Sequence, residues 1–401
     1  MTLLNHSNLK DSLVPNILTL NNISPAGLNE FDNHNFTVSS TIEKPDAILL
    51  RSFNLHDYII PDSVTLIARA GAGTNNIPLN HMTERGIPVL NTPGANANAV
   101  KELVITGMLL ACRNICSAWN YVNQLNAHDD IHTLIESQKK LFAGFELPGK
   151  TLGIIGLGHI GVKVANAADA LEMNVIGYDP AMTVQNAWEL SASVKQAESI
   201  EAVLRHADFV SIHVPLIDAT RNLINSQTLQ QMRKGAILLN FARTGIVDND
   251  ALLAALKSQQ LSHYVCDFPE ATLLNVPNII CLPHLGASTR EAEENCAVMA
   301  ARQMIDFFKT GAIHHSVNFP NVKLTQSQGH RIAIVNANIP NMVAQISSVF
   351  SQDQCNIIDM INKSRHNIAY TLIDVDRAIT PNLLQKLNAI DGVIRTRIIQ
   401  S

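Results

Sequence analysis

The sequence predicts an α/β protein built on a doubly wound parallel sheet, with a smaller α/β domain before it and a β-α-β-β-α-β domain behind it. Three observations predict this. Continuous apolar runs of strand length, such as AILL at 47–50 and TLIA at 65–68, alternate with helix-patterned stretches as buried parallel strands do. A glycine turn, Gly156-Leu-Gly158-His-Ile-Gly161, stands between a strand and a helix. After about residue 330 the pattern restarts with hairpin-like strand pairs and two short helices.

Length and composition agree with this division. A chain of 401 residues that is 46% apolar has material for two or three cores. A net charge of −5 and the absence of a basic run exclude a nucleic-acid binder. No leader pattern or membrane-length apolar segment is visible, so the expectation is a cytoplasmic protein without a membrane partner. Six cysteines, at 112, 116, 266, 281, 296 and 355, lack paired CxxC spacing and read as buried thiols; no metal is expected.

Residues 1–90 carry the strand-sized runs AILLRS, VTLIARAGAG and GIPVLNTPG. The stretch from Ala97 to Cys116 has helical apolar spacing, with Asn98 as the expected N-cap and Glu102 in the first turn. A polar stretch, 120–148, ends in the turn FELPGK. Strand 151–155 then runs into the glycine turn, a helix reaches about Leu171, and strand VIGYD ends in Asp179, 23 positions after Gly156. That context marks a Rossmann-type dinucleotide site. Gly156 permits the turn, Gly158 lets a pyrophosphate approach the helix N-terminus, and Gly161 allows close packing. Asp179 accepts from the ribose hydroxyls and repels a 2′-phosphate, which favours NAD over NADP.

Further strand-helix units follow in ADFVSIHVPL, GAILLNFART, HYVCDF and NIICLPHLGA, the last feeding a long helix from 289. Ligands bind at the carboxyl ends of such strands. Ile212-His213-Val214-Pro215, Ala242-Arg243-Thr244, Asp267 and His284 all fall there. A dehydrogenase needs a base for the hydroxyl proton, a cation for the developing carbonyl oxygen, and a group that tunes the base. His284, Arg243 and Glu270 fit these roles in that order. Residues 309–330 read as a linker into the last domain.

The motifs RAGAGTNNIP (69–78), NTPGANANAVKELV (91–104), GLGHIG, HVPL, NFARTGIVDNDAL (240–252), CDF (266–268) and PHLGAST (283–289) occur in one order. With them the chain resembles the D-isomer-specific 2-hydroxyacid dehydrogenases over nearly its whole length. The resemblance implies a flavodoxin-like substrate domain at 1–95 completed by about 290–320, an NAD-binding domain at 96–288, and an ACT-like regulatory domain at 330–401. It places the catalytic arginine, glutamate and histidine on Arg243, Glu270 and His284, and the acid on the cofactor side on Asp267. The glutamate stands two residues earlier than is usual in the family and lacks the following proline. The cofactor set it implies adds His159, Ile160, His213, Val214, Pro215, Thr220, Ala242 and Gly286 to the glycine turn and Asp179.

For the substrate, the resemblance points to the backbone amides of Ala70, Gly71, Ala72 and Gly73 for a carboxylate and to Arg51 for a phosphate. Phe53 stands where a second arginine is common, so Asn96, Lys101 or a partner subunit is expected to contribute. The activity implied is oxidation of D-3-phosphoglycerate to 3-phosphohydroxypyruvate with NAD, in L-serine biosynthesis, by a homodimer or homotetramer. A reductase of glyoxylate, hydroxypyruvate or other 2-oxo acids is the alternative within the family, and an NAD-sensing co-regulator the alternative outside enzymes. In the tail, Asn338 and Asn356 match effector asparagines, Asn336 stands where a histidine is common, and Asn341 replaces a turn glycine. The implied effector is L-serine, bound between two such domains and acting on domain closure.

Overall fold

The computed structural model describes residues 14–126, 130–325 and 329–399. Two compact units divide the chain: residues 1–95 with 293–401, and residues 96–292.

The first unit opens with a parallel sheet of β1 (Asn16–Leu20), β2 (Thr37–Ser39), β3 (Ala47–Leu50), β4 (Leu66–Arg69) and β5 (Val89–Leu90). Its order, β2-β1-β3-β4-β5, is the flavodoxin-like arrangement. All four residues of β3 are buried because the two faces of the strand serve different cores. Ala47 and Leu49 pack with Phe31 and Met304, whereas Ile48 and Leu50 pack with Leu55 and Val64.

The second unit begins with α1 (Ala97–Cys112). Asn96, not Asn98, occupies its N-cap position, and no side chain caps it. Asn98 instead bonds sideways to Glu102 and Lys101 on the helix surface. A helix over Ile115–Asn123 runs into the polar stretch, which holds a second at Ile131–Gln138. Seven parallel strands follow: β6 (Thr151–Ile155), β7 (Asn174–Tyr178), β8 (Lys195–Gln196), β9 (Phe209–Ile212), β10 (Ala236–Asn240), β11 (Leu261–Cys266) and β12 (Ile279–Cys281). Helix α2 (His159–Ala170) connects β6 to β7. The order β12-β11-β10-β9-β6-β7-β8 reverses direction at β6 and β9, so a crevice opens at their carboxyl ends.

Helix α3 (Arg290–Thr310) returns the chain to the first unit. The tail forms β13 (His330–Ala337), α4 (Met342–Gln352), β14 (Ile357–Arg365), β15 (Ile368–Val375), α5 (Pro381–Asn388) and β16 (Val393–Ile399). Its antiparallel order, β14-β15-β13-β16, is ferredoxin-like. Ile332 and Ile334 pack under α4 and α5 with Phe350 and Leu387. Ala333 and Val335, on the other face, share one core with Phe307, Ile313 and Phe319. The stretch expected to be a linker is therefore core: Ile313, Phe319 and Val322 are almost wholly buried. Its apolar residues are too widely spaced to show a helix or strand period, and only the sheet above them reveals what they cover.

Polar groups secure the same join. Buried Arg331 donates to the Thr310 and Leu324 carbonyls at 3.0 and 3.1 Å, and Asp374, its neighbour across the β13–β15 ladder, holds the guanidinium with two bonds of 2.6 and 2.7 Å. Tyr370 donates to the Gly311 carbonyl at 2.8 Å and Arg365 to that of Ser316 at 2.9 Å. Among the described residues no helix is long and apolar enough to cross a membrane.

Candidate active site

The glycine turn after β6 has the geometry a dinucleotide needs. Gly156 has φ +95°, and a Cβ there would stand 2.7 Å from the His213 carbonyl oxygen. A Cβ on Gly161 would lie 2.0 Å from the Gly156 oxygen, so helix and strand can pack only around glycine. A Cβ on Gly158 would meet nothing, which leaves open space at the N-terminus of α2 for an anion to approach the backbone amides. His159 is exposed and Ile160 half-buried at the head of the helix. Asp179, directly after β7, accepts from Leu157 N and Ala181 N, both at 2.8 Å. Its carboxylate thus braces the glycine turn as well as standing where a ribose would be held.

After β9, the His213 ring accepts or donates at 2.9 Å to Ser211 Oγ through Nε2, while Nδ1 is shielded and has no partner. Burial of the ring lowers its pKa to about 4, so it is neutral at physiological pH. Val214 is half-buried and Pro215 exposed in the loop that follows. The Thr220 hydroxyl donates to the Pro215 carbonyl at 2.6 Å and accepts from Ile217 N at 2.9 Å. That hydroxyl shapes its own loop.

Arg243 lies three residues past β10. Buried Asn240 fixes this turn: its Oδ1 accepts from Ala242 N at 3.1 Å and its Nδ2 donates to the Arg243 carbonyl at 2.9 Å. The Arg243 guanidinium donates to the Ala242 carbonyl at 2.7 Å and sits 5.8 Å from the Phe268 ring centroid. Desolvation lowers its pKa, although a guanidinium so placed remains a cation.

Asp267 follows β11 and is buried. Its two oxygens accept from Leu285 N and Gly286 N, each at 2.7 Å. Burial raises its pKa against the pull of those amides and of His284. A Cβ at Gly286 would approach the Asp267 carboxylate to 3.0 Å, which explains the glycine. The two amides belong to the residues after His284, which has φ +57°. Asp267 thereby grips the turn that holds His284 in a backbone conformation uncommon for a residue with a side chain. The His284 ring is exposed and packs on Phe268, with centroids 4.7 Å apart and a tilt of 49°.

Phe268 therefore touches both the base and the cation candidates. Its only sign in the sequence is its position beside Asp267; Asn240, equally unforeseen, is signalled by a polar residue ending the apolar run AILLN. Glu270 is half-buried at the start of a short turn, and among the described residues no hydrogen bond or ion pair joins it to His284. The structure brings Arg243, Asp267 and His284 to consecutive strand ends and does not bring Glu270 into the group.

Also in the second unit, Lys101 donates to Asn98 at 2.8 Å, and the Asn96 carboxamide oxygen is buried without a partner. In the first unit, Arg51 forms an ion pair with Glu293 at 2.6 Å. The amides of Ala70 and Gly71 already donate, to the Leu50 and Arg69 carbonyls at 2.8 and 2.9 Å. This corrects the expected carboxylate cradle: only Ala72 and Gly73 of the four have no intramolecular acceptor among the described residues. In the tail, Asn336 is buried and donates to the Ala337 carbonyl at 2.7 Å, leaving its own oxygen unpartnered. Asn338 donates to the His366 carbonyl at 2.9 Å, and Asn356 is exposed.

Residues 105–286 match the family description "D-isomer specific 2-hydroxyacid dehydrogenase, NAD binding domain". The chain is 37% identical to the D-3-phosphoglycerate dehydrogenase of Haemophilus influenzae over 339 residues, 82% of this chain and 79% of that one. An NAD+-bound 3-phosphoglycerate dehydrogenase from Entamoeba histolytica superposes with a TM-score of 0.59 at 25% identity, over 76% of this chain and 99% of the other. A glyoxylate reductase from Paecilomyes thermophila gives a TM-score of 0.62 at 26% identity over 76% of this chain and 98% of its own.

Proposed function

The chain belongs to the D-isomer-specific 2-hydroxyacid dehydrogenases and is an NAD-dependent oxidoreductase of that family, and from this we propose that it oxidises D-3-phosphoglycerate to 3-phosphohydroxypyruvate in the formation of L-serine. The observation that carries the reading is the succession of Arg243, Asp267 and His284 at neighbouring strand ends beside the dinucleotide turn. Bound NAD supplies the acceptor for the hydrogen that leaves C2 with its electron pair.

His284 takes the proton of the substrate hydroxyl; its exposed ring is free of intramolecular hydrogen bonds among the described residues. Arg243 offers the charge that stabilises the growing carbonyl oxygen. Asp267 positions the loop of His284, and neutral His213 lines the cofactor side with Val214, Ala242 and Gly286. The amides of Ala72 and Gly73 take the carboxylate, and Arg51 takes the phosphate after exchanging its partner Glu293. Glu270 tunes the base only if its loop rearranges when ligands bind.

The pairing of Arg51 with Glu293 favours a second reading, reduction of an unphosphorylated 2-oxo acid such as glyoxylate. One assay separates the two. NAD reduction with D-3-phosphoglycerate is expected to exceed that with D-glycerate or glycolate in kcat/KM by at least about tenfold, the worth of one charge-assisted contact. The reverse order supports the reductase.

The same proposal extends to a cytoplasmic homodimer or homotetramer whose ACT-like tail binds L-serine through Asn338 and Asn356, with the unpartnered Asn336 oxygen behind them. Because the tail shares a core with the first domain, the test uses the full chain. Calorimetry should give heat with L-serine that Asn356→Ala abolishes.

A further inference from the structure

We propose that Cys266 and Cys281 are a modification site: a small-molecule disulfide oxidises the two thiols to a Cys266–Cys281 bond that lowers activity by displacing the strand ends leading to Asp267 and His284. Strands β11 and β12 are parallel neighbours, and their register sets Cys266 opposite Cys281. In-register residues of adjacent strands project to the same side, so the sulfurs meet, 3.7 Å apart. Both thiols are free. Neighbouring strands run ~4.8 Å apart, inside the Cα separation of about 4.4–6.8 Å that a disulfide spans. Forming the bond draws the sulfurs in to ~2.05 Å, by side-chain rotation and movement of the strand ends.

Burial decides which thiol reacts first. Cys281 is half-buried and reachable, whereas Cys266 is fully buried. The Cys281 thiolate attacks one sulfur of RSSR, breaking that bond; RS⁻ leaves, and takes up the proton the protein thiol gave. The Cys266 thiolate then attacks the Cys281 sulfur of the mixed disulfide and expels the second RS⁻, which is protonated in turn. Two protein S–H groups become one S–S bond, and one RSSR becomes two RSH. Burial raises the pKa of both thiols, which with the nearby Tyr264 hydroxyl are the titratable groups of this pocket, so exchange is slow at neutral pH and favoured above it.

The chain on either side explains the effect on activity. Asp267 is the next residue after Cys266, and His284 lies three residues after Cys281. Bonds of 2.7 Å from Leu285 and Gly286 to Asp267 tie the two strand ends together, so a change in their spacing passes into the His284 turn. A displacement near 1 Å at such a site costs on the order of 10²-fold in rate.

The test treats the full-length protein with oxidised glutathione at pH 8, removes the excess, and maps disulfides by mass spectrometry without reduction. A Cys266–Cys281 link is expected, with turnover of D-3-phosphoglycerate falling at least tenfold, weaker NAD binding by calorimetry, and recovery of both in dithiothreitol. Cys281→Ser, and Cys281→Ala as a second variant, should keep basal turnover and lose the response. A link that instead involves exposed Cys116, a full 266–281 link without loss of NAD affinity or turnover, or equal inactivation of the Cys281 variants overturns the proposal. The activity readout rests on the reaction proposed above. If the untreated protein does not turn over that substrate, that reading fails by itself, and the mapped link with the NAD affinity still decides the modification.

Discussion

Two buried aspartates, one in each unit, are held in opposite ways. Asp374, on β15 of the four-stranded sheet, is about 1% exposed and is met by the Arg331 guanidinium of the neighbouring strand with two bonds, of 2.6 and 2.7 Å. Asp267, after the next-to-edge strand of the seven-stranded sheet, is about 2% exposed, and its carboxylate accepts from two backbone amides, with no cation in ion-pair contact among the described residues. Burial of a carboxylate is costly unless a counter-charge compensates. Where the counter-charge is present, the aspartate and arginine fasten a sheet to its floor. Where it is absent, a carboxylate is kept within electrostatic reach of an exposed imidazole, which is the condition for a site whose charge is completed by a ligand.

The largest effect should come from the group that this second arrangement presents. His284→Ala should slow turnover by ~10²- to 10⁴-fold while calorimetry shows NAD binding nearly unchanged. Loss of NAD binding would make the imidazole part of the cofactor site rather than the base. On the other side of the comparison, Arg331→Met removes the guanidinium that pairs with buried Asp374 and the bonds to the Thr310, Leu324 and Thr325 carbonyls. Urea unfolding should report a loss of about 3–5 kcal/mol, with turnover per folded molecule unchanged.

Asp267→Asn tests whether the unpaired aspartate serves stability at all. One of its two amide contacts becomes a donor facing a donor, and turnover should fall on the order of 10- to 100-fold, the worth of a hydrogen bond to a charge. Stability should respond differently. Because burial raises the Asp267 pKa above its ordinary 3.8, the native state holds that proton more tightly than the unfolded chain. The stability from this group is fully present below pH 3.8 and is lost as pH rises through the raised value. The asparagine variant should lack that decline, as urea midpoints measured from pH 3 to 7 will show. The smallest effect belongs to Glu270→Gln. With no contact to His284, it should change turnover less than about twofold and leave the pH profile in place. A fall in the pKa governing turnover would mean that the carboxylate reaches the imidazole once ligands are bound.

Much of the cleft is legible along the chain because it follows strand ends. The run AILLN, then Arg243 three residues on, or HYVC then Asp267, announces its site by a change from apolar to polar at a fixed offset. Contacts at longer range leave no such mark. Asn98 has the chemistry of a cap but sits two residues past the N-cap position, and Glu270 has the chemistry of a partner for His284 without a hydrogen bond or ion pair to it among the described residues.

What the sequence determined by itself, then, is whatever repeats with local period: the parallel strands, the glycine turn with Asp179 at the end of the next strand, and the ferredoxin-like order of the tail. Tertiary structure alone decided the rest. It set Cys266 beside Cys281, took up the Ala70 and Gly71 amides, turned residues 311–322 from connection into core, and clasped Asp267 to the two amides behind His284. Local patterns record how a segment divides its faces between water and interior, whereas strand register and side-chain pairing depend on which distant segment fills the other half of each contact.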